Sequence, residues 1–187
     1  MVHFSRFLSQ SQVLVCCGVL PLSVIVRVFV ESIFKTLEHK INSAFKDKCF
    51  ASCQIFIAPN IYGMSSGKID NFVLKQGLNS TNKTWAKISI EQTKSLLQYL
   101  ISRSVFYSSI LTSDNDAKFI TEKFLNQFDV SDIVCYTNLQ LDNYSNISSL
   151  NNRNFSAIGL QENYLVSIGV AVLGCDYIGL FVRGEND

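Results

Sequence analysis

The chain has 187 residues, enough for one domain that buries most of the surface of its unfolded state, and we expect a single domain over residues 1–187. Apolar residues make up 48% and charged residues only 17%, which argues against intrinsic disorder and predicts that some apolar surface meets a partner or a membrane. Sixteen basic residues nearly balance fifteen acidic ones without a long run of either sign, so the composition argues against nucleic acid as a partner.

The most apolar segment is VLVCCGVLPLSVIVRVFV, residues 13–30, and three interpretations of it remain open. The first is a buried strand over residues 12–17 followed by a core helix over residues 24–46, because apolar residues recur there at three- and four-residue steps. The second is a signal or membrane anchor, because the acid-free residues 1–23 have the order of a targeting segment and residues 13–34 are long enough to enter a membrane. The third is a mitochondrial presequence.

Three strands are predicted after this first helix. Residues 52–57 form a β-rich run that ends at Pro59. A second, shorter strand is predicted between Gly67 and Gly77. Residues 84–90 alternate polar and apolar side chains, which predicts a third, amphipathic strand.

Two helices are predicted next, one from residue 91 at least to Arg103 and one over residues 114–128. Asp114 is the predicted N-cap of the second helix. The apolar stripes that predict these helices consist of Leu96, Leu97, Leu100, Ile101, Phe119, Ile120, Phe124, Leu125 and Phe128.

The last third of the chain is predicted to be mostly strand. A strand over residues 131–141 precedes a polar loop over residues 142–154, and the predicted strands that follow cover residues 155–161, 164–174 and 177–184, the last two joined by a turn at residues 174–176. Strands and helices come in blocks, without alternation of single strands and helices. The predicted fold class is therefore α+β, a mainly antiparallel sheet with about three helices on one face.

The motif GMSSG, residues 63–67, matches the G-x-S-x-G pattern that places a nucleophilic serine, here Ser65, on a sharp strand-to-helix turn. A strand is predicted after it, where that pattern needs a helix. The two histidines, His3 and His39, both precede Ser65, whereas the hydrolases of this pattern carry their base histidine after the serine. Ser65 is therefore a weak catalytic candidate.

Soft metal ligands are offered by His39, Cys49, Cys53, Cys135 and Cys175. Structural zinc sites normally use closely spaced pairs on both sides of the metal, and the sequence supplies such spacing on one side only. We therefore expect no metal and no cofactor, and we expect Cys135 and Cys175 to be buried thiols in a reducing compartment. On export, with residues 1–23 removed, the four cysteines that remain would permit two disulfides in three connectivities.

Five N-x-S/T glycosylation acceptors lie in predicted loops: Asn79, Asn82, Asn143, Asn146 and Asn154. Simple residue frequencies give about half that number by chance. The excess favours export to a modest extent.

Our leading functional hypothesis is a non-catalytic interaction subunit, an assembly factor or adaptor in the cytoplasm that binds another protein subunit through an apolar surface. The alternative is an exported or N-terminally membrane-anchored glycoprotein that uses the same domain as a binding module. A hydrolase that uses Ser65 is the third hypothesis, from a different functional class.

Overall fold

The computed structural model of the protein describes residues 32, 35–36, 38–43, 51–82, 84–140, 156–157 and 159–186. Residues 38–43 are helical, in agreement with the helix predicted over residues 24–46. The strand predicted over residues 12–17 and the polar loop predicted over residues 142–154 lie outside the described residues.

An antiparallel sheet is the centre of the fold. The strands in chain order are β1 (Ala51–Pro59), β2 (Ala86–Ile88), β3 (Val134–Thr137), β4 (Leu139–Gln140), β5 (Ser156–Ala157), β6 (Val166–Leu173) and β7 (Tyr177–Glu185). Within the described ranges, the main sheet has five strands in the order β1-β7-β6-β3-β2, all antiparallel, and β4 pairs with β5 separately. The predicted α+β class with a mainly antiparallel sheet is confirmed, and the earliest of these strands lies beside the latest.

The C-terminal strand predictions hold best where the apolar run is longest. Strands β6 and β7 match residues 164–174 and 177–184 closely, and the turn between them closes with a hydrogen bond of 2.8 Å from Gly174 N–H to Tyr177 O. The strand predicted over residues 131–141 is instead interrupted, giving the short strands β3 and β4. Asn138 lies at the interruption, and its side-chain amide pairs with the backbone of β6 in place of a regular ladder.

The strand predicted between Gly67 and Gly77 is wrong, because this segment is helical. A short 3₁₀ turn, Ser66–Lys68, leads into α1, Ile69–Lys75. Ile69, Phe72 and Val73 recur at the three- and four-residue spacing of a helix, and all three are buried.

The sheet is covered on both faces, which corrects the expectation of helices on one face. Helix α1 packs with the sheet residues Ala171 and Leu180 in one apolar cluster. Two further helices, α2 (Ile90–Ser102) and α3 (Asp114–Leu125), pack with Val170 and Phe181 in another. Neighbouring residues of a strand point to opposite faces, so the two clusters lie on opposite sides of the sheet.

Helices α2 and α3 confirm most of the predicted helix pattern. Ser89 caps α2 in a reciprocal arrangement with Gln92, and the four leucine and isoleucine positions predicted for its apolar stripe are buried. The N-cap of α3 is Ser113 and not Asp114, because the Ser113 hydroxyl accepts the hydrogen bond from Asp116 N–H. Phe119 is 49% exposed, so its predicted place in the apolar stripe is wrong.

Candidate interaction surface

The loop over residues 103–112, between α2 and α3, is folded back on itself like a short hairpin. Arg103 and Ile110 pair as an isolated antiparallel bridge, and Ser104 N–H donates to Ser109 O at 2.9 Å. Ser108 has a φ of 55°, a left-handed conformation that is uncommon for a residue other than glycine. The backbone conformation of the loop is thus fixed by its own hydrogen bonds across the turn.

The base of this loop is attached to a buried carboxylate at the end of β7. Glu185 Oε2 accepts a hydrogen bond of 3.0 Å from Val105 N–H, and Glu185 Oε1 accepts one from the Ser104 hydroxyl. Ser104 Oγ in turn accepts from Tyr107 N–H at 3.0 Å. The side chains of Ser104, Val105 and Glu185 are all buried. One carboxylate therefore determines the path of the first half of the loop.

The charge of this carboxylate is balanced within the same strand. Arg183 and Glu185 are two residues apart on β7 and point to the same face, and Arg183 Nη2 lies 2.9 Å from Glu185 Oε2. Both side chains have no exposed surface. Tyr99 of α2 also forms a hydrogen bond with Ser108 of the loop. Burial raises the pKa of the Tyr99 hydroxyl.

The outer side of the loop carries large apolar side chains. Tyr107 is 59% exposed and Ile110 is 61% exposed, while Phe106 is partly buried, with its ring centroid 6.5 Å from that of Tyr107. We call Phe106, Tyr107 and Ile110 the apolar loop surface. A weak ion pair, Arg103 to Asp114 at 3.7 Å, lies beside it.

Ser65, the weak catalytic candidate, is exposed and precedes the 3₁₀ turn that leads into α1. A helix does follow the motif, as the hydrolase pattern requires, but Ser65 has an ordinary extended φ of −88° without the strain of a nucleophile turn. His39 is exposed on the helix over residues 38–43, whose Ile41 packs on the face of α2 and α3, opposite to α1. Ser65 and His39 therefore lie on opposite sides of the sheet.

The cysteines that the structure describes do not converge. Cys53 and Cys135 are buried, which raises the pKa of each thiol, and Cys175 is exposed at the turn between β6 and β7. The predicted burial is confirmed for Cys135 and wrong for Cys175, because the turn faces solvent. Within the described ranges, no three His, Cys, Asp or Glu side chains are grouped to hold a metal ion. Cys49 lies outside those ranges.

Two of the predicted glycosylation acceptors fall in the described part of the chain. Asn79 is half-buried and lines a polar cleft of about 480 Å³ beside Gln54 and Gln161, whereas Asn82 is exposed at a turn with a φ of 53°. Asn143, Asn146 and Asn154 lie outside the described residues. Asn82 is thus the more accessible of the two acceptors.

Sequence reasoning missed the anchor formed by Arg183 and Glu185. The signal was present, since two opposite charges stand at alternate positions at the end of an otherwise apolar strand, so that one face must bury both. What the strand pattern alone does not reveal is the loop that the pair supports, because Ser104 and Glu185 are far apart in sequence.

Comparison with known proteins gives no relative. No protein-family model, no curated protein and no solved structure matches the chain. Among the residues that the structure describes, none of the helices has both the length and the apolar character needed to cross a bilayer.

Proposed function

We propose that the protein is a non-catalytic interaction subunit, an assembly factor or adaptor, which binds another protein subunit through the apolar loop surface. The observation that carries this proposal is the attachment of an exposed aromatic and aliphatic surface to a fully buried ion pair.

The composition of the surface supports this function. Aromatic side chains are enriched at the centre of protein interfaces, where a few of them supply most of the binding energy. Tyr107 offers a large apolar ring with a polar tip, and Ile110 adds an exposed aliphatic side chain from the same loop.

The rigidity of the loop also supports it. Ordering a flexible loop on binding costs conformational entropy, and a loop that is already held in one conformation avoids most of that cost. Glu185 fixes the backbone at Ser104 and Val105, so the exposed side chains start from a defined position.

The test is site-specific photo-crosslinking with the full-length protein in an extract of its source. A benzoylphenylalanine placed at position 107 is expected to give one discrete covalent adduct, because this position lies at the centre of the proposed interface. The matched control is the same probe at position 119, where Phe119 is exposed on α3 outside the loop and no such adduct is expected.

Competition by unlabelled protein tests whether the adduct depends on the apolar loop surface. Excess unlabelled protein should remove the adduct, and excess Tyr107→Ser/Ile110→Ser protein should not, provided circular dichroism shows that this variant is folded. Equal labelling at positions 107 and 119, no adduct at all, or equal competition by the double variant would contradict the proposal. An adduct of twice the chain mass would identify the partner as a second copy.

The cytoplasmic location is part of the proposal, and the exposed thiol of Cys175 supports it, because exposed thiols persist in reducing compartments. The second candidate is the exported glycoprotein form of the same binding function, which the exposed Asn82 acceptor favours. The mass of the mature protein separates them. An intact, unmodified chain excludes the exported form, and the loss of roughly 20 residues or added glycan excludes the cytoplasmic one.

A further inference from the structure

The polar cleft of about 480 Å³ that Asn79 lines is on the α1 face of the sheet, on the opposite side from the helices that carry the apolar loop surface. It lies near the start of β1, and its walls are the end of α1 and the loop before β6. Its volume falls in the range of small-molecule sites, about 300–1,000 Å³. Such sites are usually lined mostly by apolar side chains, whereas this lining is mostly polar, which fits a ligand that is itself polar.

The strands change from apolar to polar or absent side chains at the cleft. On the α1 face, Phe56 and Ala58 of β1 pack in the apolar cluster, while Gln54, two residues earlier on the same face, lines the cleft. On the neighbouring strand β7, Val182 belongs to the same cluster and is followed on that face by Gly184. The sheet therefore provides an amide and an open floor where the apolar cluster ends.

Three side chains of the cleft are held in place by their neighbours. Gln161 Nε2 donates to Gln54 Oε1 at 2.9 Å, and the Ser167 hydroxyl donates to Gln161 Oε1 at 3.4 Å. The ring of Tyr164 lies against the backbone of Gly184, where an added Cβ atom would be 2.6 Å from Tyr164 Cδ2. Because these side chains are already positioned, binding a ligand would cost the protein little conformational entropy.

Other polar groups of the cleft have unused hydrogen-bonding capacity. The side-chain amides of Gln76 and Asn79 and the hydroxyl of Tyr164 form no hydrogen bond with the part of the chain that the structure describes. All three residues are partly exposed, and none of these polar atoms is buried, so a ligand in the cleft can reach them. An amide offers N–H donors as well as a carbonyl acceptor, and a hydroxyl both donates and accepts.

We propose that this cleft binds a saccharide. Sugar hydroxyls donate and accept hydrogen bonds as water does, so they replace the bonds that the amides of the cleft make with solvent. Gln76 and Asn79 would bind hydroxyl groups, and the C–H face of the sugar ring would pack on the apolar ring of Tyr164. Among the described residues that line the cleft, Glu162 alone is charged, which favours a neutral sugar over an acidic one.

The test is an NMR titration of the full-length protein with the methyl glycosides of glucose, galactose, mannose and N-acetylglucosamine. Cyclohexylmethanol is the matched probe, because it keeps a six-membered ring and a single hydroxyl. At least one glycoside is expected to shift the side-chain amide signals of Gln54, Gln76 or Asn79 in a saturable manner. It should bind at least about tenfold more tightly than cyclohexylmethanol, because several neutral hydrogen bonds together supply that factor. No saturable shift with any of the four glycosides, or equal binding of cyclohexylmethanol, would overturn the proposal.

Two further probes test the class of ligand. Methyl glucuronide carries a carboxylate and should bind more weakly than methyl glucoside, since the carboxylate of Glu162 repels it. N-acetylalanine methylamide has the groups of a peptide backbone and should also bind more weakly, because it has no hydroxyls. Tighter binding of the glucuronide than of the glucoside would overturn the choice of a neutral sugar. Tighter binding of the alanine derivative than of every glycoside would overturn the choice of a saccharide.

Substitution of an amide locates the site. Gln76→Met removes the amide but keeps the length of the side chain, and it should weaken binding of the tightest glycoside by about threefold or more. The matched control is Gln98→Met, because Gln98 is also partly buried but lies on α2, on the opposite face of the sheet. Equal affinity of the two variants for this glycoside would overturn the proposal.

Substitution of the aromatic ring tests how the sugar packs. Tyr164→Met keeps an apolar side chain without a flat face and should weaken binding of the same glycoside severalfold. The matched control is Tyr177→Met, because Tyr177 is 37% exposed at the turn between β6 and β7 and does not line the cleft. Circular dichroism shows whether each variant is folded. A folded Tyr164→Met variant with unchanged affinity would overturn the role of this ring.

Discussion

Two loops on opposite faces of the sheet, the 103–112 loop and the loop between α1 and β2, are each fixed by one buried carboxylate. They differ in whether an aromatic side chain of the loop is buried or exposed. Glu185 holds the 103–112 loop through Ser104 and Val105. On the other face, Asp70 Oδ1 accepts hydrogen bonds from the Thr81 N–H and hydroxyl at 3.0 Å each and from the Trp85 indole N–H at 3.1 Å.

The two carboxylates leave the aromatic residues near them in opposite environments, one buried and one exposed. The donors to Asp70 include the aromatic residue itself, so the indole of Trp85 points inward and is buried. The donors to Glu185 are a hydroxyl, a backbone N–H and the guanidinium of Arg183, so the loop is fixed without using its aromatic ring, and Tyr107 stays exposed. A buried carboxylate can thus hold an aromatic ring in the core, when the ring donates to it, or hold a loop whose aromatic ring stays exposed, when other groups donate.

The largest expected effect comes from removing the cation of the Glu185 anchor. Arg183→Met leaves a buried carboxylate without its counter-ion and should lower the free energy of unfolding by about 3–5 kcal/mol. Urea denaturation measures this loss. The double variant Arg183→Met/Glu185→Gln should recover part of it, because the amide carries no charge, and a single variant as stable as the unmodified protein would show that the pair does not anchor the loop.

Removal of the Asp70 carboxylate should lower the free energy of unfolding by a smaller amount. Asp70→Ala leaves the donors of Thr81 and Trp85 without this acceptor, and we expect a loss of about 3 kcal/mol in the free energy of unfolding. Trp85 is the single tryptophan of the chain, so a red shift of its fluorescence reports the loosening of the loop. Photo-crosslinking from position 107 should be unaffected in the folded variant, and its loss would mean that the two anchors are coupled.

The aromatic residues themselves distinguish the loops. Trp85→Phe replaces a buried indole by a smaller phenyl ring and removes one hydrogen bond to a carboxylate, with an expected loss of about 2 kcal/mol in the free energy of unfolding. Tyr107→Phe keeps the ring of a side chain that is 59% exposed and should change stability by less than about 0.5 kcal/mol. Parallel urea titrations compare the two, and equal losses would contradict the assignment of one ring to the core and the other to the surface.

An exposed carboxylate provides the smallest effect and a reference for both anchors. Hydrogen bonds from Lys40 and then from Ser113 hold the pKa of Asp116 below its ordinary value. A lowered pKa in the folded state stabilises the protein above the ordinary carboxyl pKa, and this contribution disappears as the pH falls through the folded-state value. Asp116→Asn should therefore be less stable than the unmodified protein at neutral pH and equally stable in acid, as measured by urea midpoints. A constant difference in stability across this pH range would be inconsistent with the lowered pKa.

The longer elements were predictable because each has a clear period. Helix α2 shows its stripe from Leu96 to Ile101, and strands β6 and β7 are long apolar runs with a glycine turn. Helix α1 was missed because it is only seven residues long, too short for the period to outweigh its strand-forming residues. Its burial is decided by the second face of the sheet, which no local pattern reveals.

The candidate surface was harder to predict than the fold. An apolar partner surface follows from composition, but its location depends on the contact of Ser104 with Glu185, residues on distant elements. Ser113 was overlooked as a cap because Asp114 beside it is an equally good capping residue.

The pairing of β1 with β7 has a consequence for how the chain is made. About 120 residues separate the two strands, so at a translation rate of about 5–20 residues per second β1 leaves the ribosome on the order of ten seconds before its partner exists. During that interval the open hydrogen-bonding edge of β1 and the apolar faces of the helices already synthesised are exposed to other chains. We therefore expect slow refolding, aggregation that rises with protein concentration, and a benefit from chaperones that bind extended apolar segments.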